Sequence, residues 1–211
     1  MYTGITQGVY EVVCCHKQPG LIDYTLQLSS SLCKGLKLGG SVAVDGVCQT
    51  VVGIEKTAVS FQAIQETLDK TTLNTLCVGR QVNIERSLRV GDEIGGHEVS
   101  GHVYGTGLID QKIEDNHEVT FVIQCPLEWM KYIFNKGFIA VDGVSLTVGM
   151  TIPEKGLFYL HLIPETLKRT CLSRKQVNDR VNIEFDYKTK TIVDSVERLL
   201  KTSSLILNEE E

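Results

Sequence analysis

The fold class this sequence predicts is all-β, two tandem homologous barrels followed by a C-terminal α-helix. Three observations predict it: an internal repeat offset by about 97 residues, short β-branched segments punctuated by Gly and Asp, and a change of hydrophobic period after Tyr187. Residues 41–51 (SVAVDGVCQTV) recur as residues 138–148 (FIAVDGVSLTV), identical at 7 of 11 positions. Glu66-Thr67-Leu68 returns as Glu165-Thr166-Leu167, and Val82-Asn83-Ile84-Glu85 as Val181-Asn182-Ile183-Glu184, both offset by 99. The two extra residues fit a longer turn around Pro153 to Gly156. The openings correspond too, because Thr3-Gly4 with Gly8 lies 97 residues before Ser100-Gly101 with Gly105. The expected domains are therefore 1–97 and 98–187, with 188–211 as a terminal helix and tail.

Within each copy the strands are short. Residues 42–44, 47–52, 59–61 and 82–84 are β-branched or aromatic, and Asp45-Gly46 and Asp142-Gly143 are tight-turn signals between strands. Several such strands in so short a segment predict a small closed antiparallel barrel, which leaves no exposed sheet edge. Short helices are expected over 66–73, 165–172 and 127–134. After Tyr187, the residues Ile192, Val193, Val196, Leu199 and Leu200 form one stripe of a helix. That stripe must dock either on its own barrels or on copies of itself. The closing Asn208 to Glu211 is expected to be a solvated end.

Composition narrows the function. With 21 Lys and Arg against 26 Asp and Glu, the net charge is −5, which argues against a nucleic-acid partner. No apolar run approaches the ~20 residues of a membrane helix, and the first residues lack the character of a signal peptide, so a soluble cytoplasmic protein is expected. Seven cysteines without a C-x-x-C pair suggest reduced thiols rather than a disulfide framework or a zinc knuckle. Phosphate-loop, dinucleotide, zinc-hydrolase and esterase motifs are missing from the sequence.

Candidate ligand contacts follow from strand alternation. Cys48 and Thr50 share one face while Val47, Gln49 and Val51 share the other; in the second copy Ser145 and Thr147 oppose Val144, Leu146 and Val148. A small polar stripe in both copies could line a cradle for a heterocycle, although Ser and Thr are equally ordinary on exposed strand faces. Gln49 falls on the interior face, where an amide needs partners. His97 and His102 are five apart in the segment joining the copies, so on a continuous strand they face opposite ways and share no metal. His102, equivalent to Ile5, suits proton transfer, or it is a linker histidine satisfied by backbone. His16, His117 and His161 have no acid or thiol at an interpretable spacing and read as structural.

The opening MYTGITQG, the two Val-Asp-Gly-Val-x-x-Thr-Val strands, residues 95–102 (GGHEVSGH), Lys136-Gly137-Phe138-Ile139 and residues 162–167 (LIPETL) resemble motifs of the riboflavin synthases, in matching order from residue 1 to about 200. The resemblance implies two six-stranded Greek-key barrels, a helix that assembles a homotrimer, no cofactor, and an association with lumazine synthase. It implies a reaction in which two molecules of 6,7-dimethyl-8-ribityllumazine dismutate by transfer of a four-carbon unit, giving riboflavin and 5-amino-6-ribitylaminouracil. The family's non-enzymatic relatives, antenna-type lumazine proteins, are the alternative.

Carried onto this chain, the resemblance assigns the first cradle Ser41, Cys48, Gln49, Thr50, Gln62, Ala63, Ile64, Gln65, Glu66 and Thr67. The second receives Gly4, Ile5, Thr6, Gly101, His102, Val103, Ser145, Leu146, Thr147, Ile163, Pro164, Glu165, Thr166, Leu167 and Lys168, with Lys136 reaching toward the partner ligand. His102 and Ser145, with Thr147, are expected to assist removal of a methyl proton from the donor lumazine, while Cys48 or a water engages the acceptor. Asp186 is either an interface residue or a solvated acid. Tyr2, Gln49 and Tyr104 depart from the family's usual Phe, Leu and Asp.

Overall fold

In a computed structural model, which describes residues 1–116 and 118–208 and side chains as far as residue 202, the chain forms two closed six-stranded antiparallel barrels and a C-terminal helix. The first contains β1 (Gly8–Gln18), β2 (Leu21–Gln27), β3 (Ser41–Val44), β4 (Val47–Glu55), β5 (Ala58–Ile64) and β6 (Gln81–Arg86), closed in the order β1-β2-β5-β4-β3-β6. The second contains β7 (Gly105–Glu114), β8 (Val119–Gln124), β9 (Phe138–Val141), β10 (Val144–Ile152), β11 (Leu157–Leu162) and β12 (Arg180–Phe185), closed in the equivalent order. Each barrel thus has strands that short β-branched segments did not single out. In β1 a bulge at Val12/Cys14 interrupts the alternation that would have marked it. Each barrel encloses its own core, built around Tyr24, Phe61 and Ile84 in the first and Phe121, Phe158 and Ile183 in the second.

The three expected short helices fall in place but are tighter, and a further one at residues 30–33 was not expected. The first barrel carries α1 (Ser30–Cys33) and α2 (Gln65–Lys70), the second α3 (Pro164–Arg169), and a 3₁₀ turn follows each of α2 and α3. Residues 127–132 are also 3₁₀. The longer turn of the second copy, which takes up the two-residue insertion, contains a three-residue 3₁₀ turn, Pro153–Lys155, that ends on left-handed Gly156.

The repeated Asp-Gly and Val-Asn-Ile-Glu motifs explain how the barrels meet. Asp45-Gly46 and Asp142-Gly143 are left-handed two-residue hairpin turns, and they abut across a pseudo-twofold axis. Asn83 reaches across, its Nδ2 donating to the Asp142 carbonyl at 2.9 Å and its Oδ1 accepting from the Cys171 N–H at 2.7 Å. Asn182 does the same in reverse, toward the Asp45 carbonyl at 2.8 Å and the Thr72 N–H at 2.8 Å. The Asp45 and Asp142 carboxylates are buried, each accepting from the backbone of its own barrel's Asn and each paired with one cation, Arg80 at 3.1 Å and Lys175 at 2.8 Å.

Burial, reinforced by repulsion from Asp142, pushes the Asp45 carboxyl up to about 6. The folded state therefore holds this proton more tightly than the unfolded chain, and Asp45 costs stability as pH rises from about 4 to about 6. Urea melts of the wild type and of Asp45→Asn should diverge accordingly, the wild type losing stability relative to the variant between pH 4 and pH 7. Parallel curves would refute this.

The terminal helix α4 (Tyr187–Asn208) begins on a cap. Asp186 Oδ2 accepts from the Thr189 N–H at 2.8 Å and its hydroxyl at 2.7 Å, so its carboxylate caps the helix start. Tyr104 packs against Trp129, Tyr132 and Phe185, with Lys190 of α4 5.6 Å over its ring. Tyr132 Oη donates to Asp194, which ties α4 to the second barrel. Of the apolar stripe, Val193 packs on the second core whereas Ile192, Val196 and Leu200 are exposed. No helix among the described residues is long and apolar enough to cross a membrane. The expectations for His117 and for residues 209–211 lie outside the described residues. His161 Nδ1 lies 3.2 Å from Glu118 and 3.0 Å from the Thr120 hydroxyl, between β11 and the start of β8, a contact in keeping with a structural role. Acid and imidazole are adjacent through strand pairing, which sequence spacing does not show.

Candidate active site

The alternation on β4 and β10 is as expected. Cys48 and Ser145 are half-buried, Thr50 and Thr147 are exposed, and Val47, Val51, Val144 and Val148 point into the cores. Gln49 is buried but satisfied, its Oε1 accepting from Tyr24 Oη at 3.1 Å and its Nε2 donating to the Cys48 carbonyl at 3.0 Å. Three residues assigned to the cradles, Gln49, Ala63 and Leu146, turn their side chains into the barrel interiors, as strand period two demands of them. Leu167 is half-buried against the second core. Any ligand contact from the first three is through backbone.

Loops carried by one barrel complete the polar face of the other. The carboxylate of Glu85 accepts from the Thr3 N–H at 2.6 Å, the Thr3 hydroxyl at 2.8 Å and the Gly4 N–H at 3.0 Å. Glu184 holds Ser100 and Gly101 identically, at 2.7, 2.6 and 3.0 Å. Burial pushes both carboxyls up, against the opposing pull of these donors. So held, the Gly4 carbonyl accepts from Ser145 N–H of the second barrel, and the Gly101 carbonyl from Cys48 N–H of the first, each at 2.8 Å. Gly4 and Gly101 approach so closely that an added Cβ would lie 2.5 Å from Ser145 Cβ and 2.8 Å from Cys48 Cβ.

This exchange corrects one expectation. The resemblance places Gly101, His102 and Val103 in the second cradle, but they border the first, where a cleft of about 280 Å³ is lined by Cys48, Glu66, Thr67, Lys70, His102 and Val103. Val103 packs on the first core. The repeat alignment pairs residue with residue without revealing that each leading loop crosses to the other barrel. His102 is accordingly beside Cys48. The imidazole on Ser145 is that of His97, with Nδ1 2.7 Å from Ser145 Oγ. His97 is buried and stacks on Phe138 at 5.2 Å, while His102 is exposed. Burial lowers the His97 pKa, with Asp186 pulling the other way, so the ring is held neutral and able to act as a base.

Sequence reasoning notes His97 without pairing it with Ser145, and it passes over Phe138 as a functional candidate. Phe138 could have been found as the counterpart of Ser41 at the same offset. Lys136 is exposed with φ 65° and borders a groove of about 440 Å³ between the second barrel and α4, with Phe134, Phe138 and Ile192. Thr6 is half-buried; Ile5, Gln62, Ile64, Gln65, Ile163, Pro164, Glu165 and Lys168 are exposed around the two faces. No cluster of three metal-ligating side chains occurs among the described residues.

The lumazine binding domain model matches twice, over residues 3–87 and 100–186. A riboflavin synthase from Escherichia coli (strain K12) is 43% identical over 211 residues, 99% of this chain and 98% of that protein. The chain belongs to the riboflavin synthase family. Riboflavin synthases from Buchnera aphidicola subsp. Baizongia pistaciae, 43% identical over 95% of this chain and 94% of that one, and from Chlamydia trachomatis serovar D, 46% identical over 94% and 96%, extend the likeness. LumP complexed with riboflavin superimposes with a TM-score of 0.80, covering 88% of this chain and 99% of that chain at 23% identity, which shows a shared fold. Both matched segments of this riboflavin synthase family member begin at the loop that crosses to the opposite barrel.

Proposed function

We propose that the chain catalyses the riboflavin synthase reaction, taking two molecules of 6,7-dimethyl-8-ribityllumazine to riboflavin and 5-amino-6-ribitylaminouracil by transfer of a four-carbon unit. One observation carries this reading: the molecule has two polar strand faces of the same design, Cys48 with Thr50 and Ser145 with Thr147, each completed by a loop held on a buried glutamate. A dismutation needs two sites for one compound, and a duplicated cradle supplies them. Holding the reactants together is itself worth up to ~7–11 kcal/mol of barrier when the geometry is near attack.

Each active site forms between the first barrel of one subunit and the second barrel of its neighbour in a homotrimer. The exposed Ile192, Val196 and Leu200 of α4 support that assembly, because exposed apolar side chains along one helix face are covered by self-association. In the second cradle Ser145 and neutral His97 remove the methyl proton of the donor, and in the first Cys48, flanked by His102 and Thr67, meets the acceptor. The test is to mix the purified protein with 6,7-dimethyl-8-ribityllumazine, without added metal or nucleotide, and follow riboflavin absorbance while sedimentation gives the mass. Catalytic riboflavin formation by a species of three chain masses is expected. Tight binding with an unchanged lumazine spectrum would overturn the reading in favour of an antenna-type binding protein.

A further inference from the structure

The two cradles repeat each other in backbone but differ in how they hold the group at the head of the polar stripe. Tyr2 is fully buried, and its Oη donates to Cys48 Sγ at 3.2 Å. The residue equivalent to Tyr2 in the second copy is Val99, which has no polar atom on its side chain, and Tyr2 and Val99 pair as neighbouring backbone through N–H to O contacts of 2.7 and 3.0 Å. Cys48 is therefore met by a donor from below, and its counterpart Ser145 by an imidazole nitrogen.

We propose that Tyr2 is the positioning residue for Cys48, a phenol that fixes the sulfur toward the first cleft. The inference deepens the reading of that cleft as a lumazine cradle. The phenol suits this role because burial first, and Cys48 next, hold its pKa well above the ordinary phenol range, so it keeps its proton and remains a donor. Its place is fixed as well. Tyr2 belongs to a small core of its own on the pseudo-twofold axis with Ala43, Val99 and Ala140, against which Cys48 packs, and an added Cβ on Gly101 would lie 2.8 Å from both the Tyr2 ring and Cys48 Cβ. A donor without freedom to turn away keeps the sulfur in one rotamer. The division that follows is chemical: a sulfur held by a donor stands on the acceptor side, and a hydroxyl held by a neutral imidazole on the proton-abstracting side.

The test uses Tyr2→Phe, which keeps the buried ring and removes only the hydroxyl, alone and combined with Cys48→Ala. Loss of one such hydrogen bond should lower kcat about tenfold with KM for the lumazine within about twofold. That loss should vanish in the Cys48→Ala background, since a residue acting through the sulfur has nothing left to act on. In parallel, alkylation by iodoacetamide with peptide mapping by mass spectrometry should show Cys48 modified at least about threefold more slowly in Tyr2→Phe, because a sulfur no longer held toward the cleft is presented less often, with the exposed Cys14 and Cys77 unchanged. An undiminished kcat, an equal loss without the thiol, or an unaltered Cys48 alkylation rate would overturn the proposal. Should the wild type form no riboflavin, the proposed function falls, and alkylation of Cys48 still decides the role of Tyr2.

Discussion

Ser145→Ala is expected to lower kcat about 100-fold while KM for the lumazine changes only a few-fold, a loss within the ~10²–10⁴ that positioned acid-base groups contribute. The Ser145 hydroxyl lies 2.7 Å from Nδ1 of a histidine whose burial keeps it neutral at physiological pH. A neutral imidazole beside a hydroxyl is a proton acceptor in waiting, and Phe138 stacked on the ring prevents it from turning away. Because burial lowers the His97 value, the acid limb of kcat/KM should lie below the ordinary histidine pKa. Ser145→Ala also leaves the buried Nδ1 without its partner, which costs about 1–3 kcal/mol, so thermal melts must accompany the kinetics. Combining Ser145→Ala with His97→Ala should add little to either alone, as expected of groups that act as a unit. A kcat within threefold of wild type would remove Ser145 from the proton-transfer step.

The repeat made the architecture legible because both copies retain the residues that build the junction. Asp45 and Asp142 accept from the neighbouring strands, Asn83 and Asn182 reach across the axis, and Glu85 and Glu184 hold the leading loops. None of these can be exchanged without orphaning a buried partner, so they stand out when the copies are aligned. The alternation on β4 and β10 was legible for a simpler reason: period two leaves no choice about which side chains enter the core. The crossing of the loops was not legible. Alignment within one chain pairs Gly4 with Gly101 but carries no information on which barrel each one touches. The pairing of His97 with Ser145 was hidden likewise, because 48 residues separate them and they meet only through the opening loop, which donates to Glu85 from Thr3 and Gly4, accepts at the Thr3 carbonyl from the His97 N–H and lies alongside β10. Long-range polar contacts of this kind depend on tertiary closure, and only the hydrophobic period is local.

Gly46→Ala should be among the most destabilising single-methyl additions in the molecule. Gly46 has φ +79°, so an alanine there adopts a left-handed conformation at a cost of roughly 1–2 kcal/mol. The new methyl would also stand 2.5 Å from Gly143 N and 2.8 Å from Gly143 Cα, both backbone atoms of the opposing hairpin, and rigid overpacking adds about 1–3 kcal/mol. Gly39→Ala separates the two contributions. Its φ is +77°, yet no atom lies within 4 Å of the added carbon, so it carries the conformational cost alone. Urea midpoints should therefore fall about two to three times further for Gly46→Ala than for Gly39→Ala. The collision has a functional side that the control lacks. A contact between the backbones of two opposed hairpin turns is relieved by parting the barrels, and parting them pulls the Gly4 carbonyl from Ser145 and the Gly101 carbonyl from Cys48. Both cradles lose a wall at once, so riboflavin formation should fall with Gly46→Ala even at temperatures where the variant remains folded, and should be unaffected by Gly39→Ala. Equal midpoints for the two variants would mean that the hairpins yield without moving the barrels, and that the junction is softer than its buried polar network implies.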